Sequence, residues 1–128
     1  SCTQYPFSDT NDMASVTQSA ADSCDAIYVP TDNTVANNTG IVDNICNGKV
    51  PVFVGEEGIC SGCGVATLSI SYYDLGVTTG KMAAKILTGE ADISTMPIEY
   101  TDATPKYNPT ICETLNITPL DGYTAIEG

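Results

Sequence analysis

The sequence has no Arg, no His and no Trp, and its basic residues are four Lys at 49, 81, 85 and 106. Four scattered ammonium groups cannot neutralise a phosphate backbone at physiological salt, so nucleic acid is excluded as a partner. Without His, the Ser-His-Asp and Cys-His nucleophile arrangements and His-ligated metal centres have no donor. No run approaches the about 18 apolar residues that a membrane span needs. The opening Ser1-Cys-Thr-Gln-Tyr-Pro6 lacks the basic start and apolar centre of a secretory signal.

What is present is acidic. Sixteen Asp and Glu against four Lys give a formal net charge of -12 over 128 residues, and 42% of the residues are hydrophobic. That length fits one domain, and the apolar share is that of an ordinary globular chain rather than a disordered one. Six Cys (2, 24, 46, 60, 63 and 112) are too sparse for a disulfide scaffold, and are compatible with buried thiols or with one or two bridges.

The pattern along the chain alternates strands and helices. Cys24-Asp-Ala-Ile-Tyr-Val-Pro30 holds a short apolar run stopped by proline, which predicts a buried strand. Capping residues Thr31-Asp-Asn-Thr34 follow, and Val35, Ile41, Val42 and Ile45 then recur at near-helical spacing up to Asn47-Gly48. Val50-Pro-Val-Phe-Val54 predicts a second strand, closed by Gly55-Glu-Glu-Gly58. Val65 to Ile70 predicts a third, and Ser71-Tyr-Tyr-Asp74 opens a helix reaching Thr88-Gly89. On that helix Leu75, Met82 and Ile86 share one face, and Gly76, Gly80 and Ala84 form a strip of small residues. Gln4–Phe7 predicts a weak strand, Asp12 to Ala21 a helix, and Met96–Tyr100 an edge strand. Asn108 caps a last helix that starts at Pro109, with Ile111 and Leu115 inward. No internal repeat or low-complexity tract occurs. The class is α/β, with a mostly parallel sheet flanked by helices.

In such a sheet, ligands bind outside the carboxyl ends of the strands. Three strand ends carry polar loops: Pro30–Thr34, Gly55–Gly58 and Ile70–Asp74. Their carboxylates suit an ammonium group, their hydroxyls and helix starts a carboxylate, and their Tyr rings an apolar face, which together are the parts of an amino acid. The alternative is that Asp32, Thr34 and Asp74 are plain helix caps and that Glu56 and Glu57 form a solvated turn.

Cys60-Ser-Gly-Cys63 has the spacing of a redox pair, but Gly62 and Gly64 surround it and the pattern predicts a strand after it, not a helix that would lower a thiol pKa. A zinc site would need two further, distant ligands. Asn37-Asn-Thr39 and Asn116-Ile-Thr118 match the short N-glycosylation pattern.

The three rim segments, read as Asp25–Ala36, Val50–Gly58 and Ala66–Gly76 with Thr79–Leu87, resemble the C-terminal part of ABC transporter substrate-binding proteins. The similar group includes tryptophan- and phenylalanine-binding lipoproteins, and the likeness runs from about Tyr5 to Ile126. It departs at Cys60 and Cys63, where many relatives have other small or polar residues. The resemblance implies a type I periplasmic-binding-protein fold and a non-enzyme without cofactor or metal. In it, Asp32, Asn33, Thr34, Glu56, Glu57, Ser71 and Tyr72 line one side of a cleft. Glu56 or Glu57 would take the amino group of a bound amino acid, Thr34 its carboxylate, and Tyr72 its side chain.

The same resemblance implies that residues 1–128 form an incomplete C-terminal lobe. The first strand and helix of that lobe would be missing, the strand lying between Gln4–Phe7 and Ala26–Val29, and the helix at 73–89 would pack on an N-terminal lobe outside this chain. The expected setting is extracellular or periplasmic, membrane-tethered in the longer parent, with permease subunits as partners. Exposed edges and the small-residue helix would favour a homodimer or strand exchange. A small Cys-x-x-Cys thiol oxidoreductase using Cys60 and Cys63 is the competing reading.

Overall fold

The structure, a computed structural model, describes residues 1–127. The chain forms two compact units, one made of Ser1–Ser69 with the chain from Pro105 onward, the other of Ile70–Thr104.

The first unit opens with α1 (Thr10–Ser23). Asp9 caps it by accepting from Asn11 N–H at 2.7 Å, and the Asp12 carboxylate returns the bond by accepting from Asp9 N–H at 3.2 Å. Met13, Ala20 and Ala21 are its buried positions. β1 (Ile27–Val29), β2 (Val52–Val54) and β3 (Ala66–Ile70) pair in parallel, as the apolar runs predict. β4 (Ala103–Tyr107) and β5 (Thr124–Ala125) complete a five-stranded sheet whose spatial order is the chain order, β1 to β5. α6 (Pro109–Thr114) starts at the Asn108 cap as expected, with Ile111 buried and Leu115 packed beside it.

The sequence-based outline needs four corrections. First, the helix expected from Val35 to Ile45 is two helices, α2 (Asn33–Ala36) and α3 (Thr39–Cys46). Asn38 breaks it, because its side-chain amide donates to Thr34 O at 2.8 Å and its backbone N–H turns to Val35 O at 2.9 Å. Second, the segment read as a turn leading to Cys60 and Cys63 is α4 (Glu57–Cys63). Third, Gln4–Phe7 joins no strand of the sheet; Phe7 instead packs against the core, and β1 is the edge. Fourth, Met96–Tyr100 is not a strand. Ile98 and Tyr100 are 90% and 82% exposed, and ladder pairing begins only at Ala103.

The main core lies between the sheet and the helices α1 to α4, around Met13, Val35, Val42, Val52, Val54, Ile59 and Cys60. Gly62 makes the α3–α4 contact close, since a Cβ there would meet Thr39 Cβ at 2.5 Å. Asn108 is buried and ties α4 to α6: its Nδ2 donates to Cys60 O and Ser61 O, both at 3.1 Å, while its Oδ1 accepts from Thr110 and Ile111 N–H.

The second unit is built on α5 (Tyr72–Leu87), which has no buried residue. Leu75, Met82 and Ile86 are half-buried, and a Cβ at Gly76 or Gly80 would meet nothing within 4 Å. Lys85 and Glu99 form an ion pair at 3.6 Å within this unit.

Candidate functional site

The carboxyl ends of β1 and β2 are stitched together. Gly55 N–H donates to Val29 O at 3.0 Å, and Thr31 Oγ1 donates to Gly55 O at 3.3 Å. Gly55 keeps this approach close, since a Cβ would sit 3.1 Å from Thr31 N and 3.2 Å from the Tyr28 hydroxyl. The loops Pro30–Thr34 and Gly55–Gly58, read separately from the sequence, therefore make one rim.

On that rim Asp32 is half-buried and caps α2, accepting from Val35 N–H at 2.8 Å. Asn33 is exposed as the first residue of α2, and Thr34 is half-buried beside it. Glu56 caps α4: its two carboxylate oxygens accept from Gly58 N–H at 2.7 Å and Ile59 N–H at 2.8 Å. Glu57 is paired to Lys106, whose ammonium donates to both carboxylate oxygens, at 2.7 and 2.8 Å. Each of the three rim carboxylates thus has a protein partner. Just below the rim Thr67, in register with Val54, is 3% exposed, and among the described residues its Oγ1 has no hydrogen-bond partner.

Ser71 and Tyr72 belong to the second unit. Ser71 Oγ caps α5 by accepting from Asp74 N–H at 3.1 Å, and Tyr72 is 58% exposed. One polar group, Lys106, and one role, that of Glu56 as a cap, escaped the sequence reading. Lys106 stands 49 positions from its partner, and Glu56 caps through a side chain longer than the usual Ser, Thr, Asp or Asn. A proline inside Ala103-Thr-Pro-Lys-Tyr107 hid the strand that carries Lys106.

A cleft of about 450 Å³ lies away from this rim, between the last turn of α4 (Ser61, Gly62), the end of α3 (Asp43, Asn47) and the start of α6. None of the ligand-binding residues expected from the sequence lines it; Asn108, Pro109 and Ile111, read there as a helix start, do.

The Cys60–Cys63 pair sits inside the core at 0% and 3% exposure, and all six Cys are free thiols. Cys60 Sγ faces Gly64 O at 3.5 Å and Cys63 Sγ faces Ile59 O at 3.4 Å. Burial pushes both thiols up to about 12, with neighbouring acidic groups adding to it. A nucleophilic or redox-active thiol needs the opposite, a lowered pKa and access to solvent. Among the described residues no group of three or more metal-ligating side chains is assembled.

A parallel α/β unit with polar loops at its strand ends is the class of fold in which ligands bind outside the carboxyl ends of the strands. The chain belongs to the ABC transporter substrate binding protein family, whose family model matches residues 2–122. It is 35% identical over 81 residues to a tyrosine-binding protein of Clostridioides difficile, a match spanning 62% of this chain and 23% of that one. A Streptococcus pneumonia ABC domain solved in complex with L-Trp superposes with a TM-score of 0.79 at 30% identity, over 95% of this chain and 44% of that one. A ligand-free, open substrate binding protein with adhesive properties from Clostridium difficile gives 0.75 at 30% identity, over 94% of this chain and 42% of that one. The chain therefore spans less than half the length of these solved relatives, and its mostly parallel, helix-flanked sheet is the one they share. No described helix is long and apolar enough to cross a membrane.

Proposed function

We propose that this chain supplies one wall of a cleft that binds an amino acid, of the aromatic class, for uptake through an ABC importer. The observation that supports this reading is the single rim formed where Thr31 bridges to Gly55, in a fold shared with a tyrosine-binding protein and an L-Trp complex. Asp32, Asn33, Thr34, Glu56 and Glu57 make the wall of the first unit in this reading, and Ser71 and Tyr72, at the start of α5 in the second unit, are the further candidates that the resemblance supplies. The amino group of the solute meets rim carboxylate at Glu57 or Glu56. Because both are already bonded, they are held in place before the solute arrives rather than ordered by it.

Transport follows from closure. A solute that touches this wall and a second lobe favours the closed state by its differential contacts, and the permease reads that state. The uncovered helix α5 faces the second lobe in this reading. The full-length protein acts outside the cytoplasmic membrane, tethered to it. A thermal-shift screen of the twenty amino acids tests the ligand class: stabilisation by Tyr, Trp or Phe is expected, and stabilisation by none of the twenty overturns it.

A further inference from the structure

Three polar groups of the first unit converge at the rim. Asn108 N–H donates to Val65 O at 2.9 Å, which sets the end of β4 beside the start of β3. The two strands therefore run antiparallel, and Lys106 comes opposite Thr67 on one face of the sheet. From there the Lys106 side chain reaches α4, where its ammonium donates to both carboxylate oxygens of Glu57, at 2.7 and 2.8 Å. Hydrogen-bonding capacity is left over at two points. An ammonium has three N–H groups, and a single carboxylate leaves at least one of them over. The Thr67 hydroxyl, 3% exposed and in register with the apolar Val54, has no partner among the described residues.

An ion pair needs no hydroxyl beneath it, and a buried hydroxyl without an acceptor is costly to keep. One anionic acceptor placed here would satisfy both leftover donors. The charges point the same way. Asp32, Glu56 and Glu57 give the rim three carboxylates, and Lys106 is the ammonium that meets them. Lys49 is paired to Asp22 of α1 instead, and Lys81 and Lys85 belong to the second unit. A rim of carboxylates alone would favour a bare amine and repel the carboxylate of an amino acid. With Lys106 in place, the same rim can hold a zwitterion.

We propose that Lys106 receives the carboxylate of the bound amino acid, with the Thr67 hydroxyl as a neutral donor beneath it, and that this contact makes the site select amino acids over the corresponding amines. The inference rests on the amino-acid cleft proposed above and adds the group that discriminates within it. Glu57 and Lys106 act as a matched pair: Glu57 faces the ammonium of the solute while Lys106 faces its carboxylate. Their mutual bond fixes both charges before the solute arrives. Thr34, the carboxylate partner that the resemblance implies, offers a neutral hydroxyl, whereas Lys106 offers a charge-assisted bond.

Isothermal titration of L-Tyr against tyramine, and of L-Trp against tryptamine, tests this on the protein expressed from its whole gene, beside its Lys106→Met and Lys106→Arg variants. Each amine is its amino acid without the carboxylate. The wild type is expected to bind one of the amino acids at least about tenfold more tightly than its amine. Lys106→Met should weaken that amino acid at least about tenfold and leave the amine within about twofold, while Lys106→Arg keeps the preference. A lysine that only braced Glu57 would give another pattern, because loss of the brace would weaken amino acid and amine alike through the ammonium both carry. Equal losses therefore overturn the proposal, as does an unchanged preference in Lys106→Met, and either result leaves the amino-acid cleft standing. A wild type that binds none of the four compounds overturns the cleft and the proposal with it. Should Lys106→Met fail to fold, Thr67→Val decides: the amino acid weakened with the amine unchanged supports the proposal, and any other result overturns it.

Discussion

Lys106 grips both carboxylate oxygens of Glu57, at 2.7 and 2.8 Å, and so joins the strand β4 to the first residue of α4. The two side chains retain 29% and 37% exposure. Solvent therefore screens the pair, and a contribution of about 1 kcal/mol is the appropriate scale. Lys106→Met is expected to lower the melting temperature by about 3 to 5 °C, with Lys106→Arg restoring part of it. A Met variant that melts with the wild type would show that the pair contributes nothing measurable.

Glu56 acts as a cap rather than as a free charge. Glu56→Ala removes the acceptor for two amides at the start of α4 and is expected to cost about 1 kcal/mol. Urea denaturation should show a lower midpoint with an unchanged slope. Amide exchange at Gly58 and Ile59 should speed up before the rest of α4 does.

Gly62 separates two opposed effects. Helix propensity alone makes Ala better than Gly in α4 by up to about 1 kcal/mol. The Cβ would, however, press into Thr39 of α3 at 2.5 Å, and overpacking of that kind costs about 1 to 3 kcal/mol. The steric cost wins, so Gly62→Ala is expected to destabilise; a stabilised variant would show that α3 and α4 can move apart.

The buried thiols give a pH dependence with a fixed sign. Cys60 and Cys63 rise from 9.0 in the unfolded chain to about 12 in the folded one. Below about pH 9 both states keep the proton and the thiols do not alter stability with pH. Between pH 9 and 12 the unfolded chain releases protons that the folded one holds, so stability falls as pH rises. A melting temperature that is flat to pH 9 and then declines is expected, and Cys60→Ala should make the decline shallower. In the native protein a thiol reagent at pH 8 should modify exposed Cys2 quickly and leave Cys46, Cys60, Cys63 and Cys112 intact.

Much of this was legible in the residues. The apolar runs ending at Val29, Val54 and Ile70 read as parallel strands and are so. Asp32, Ser71 and Asn108 read as helix starts and each caps one. What was not legible has physical causes. α4 was hidden because Gly58, Gly62 and two Cys weaken the helical pattern, and because its cap is a Glu. The division of one helix at Asn38 depends on a side-chain bond to Thr34 that periodicity cannot show. Lys106 and Glu57 meet only through tertiary structure. The rim residues of the first unit were all named from the sequence; that their carboxylates are already engaged emerged from the structure.

The central claim is that the rim at the ends of β1 and β2 binds an amino acid. Isothermal titration of L-Tyr and L-Trp into the protein expressed from its whole gene, beside its Asp32→Ala variant, tests it most directly. The account predicts saturable one-to-one binding of at least one of the two, weakened at least about tenfold, or about 1.4 kcal/mol, by the substitution. Binding of neither, or binding that Asp32→Ala leaves unchanged, would contradict it.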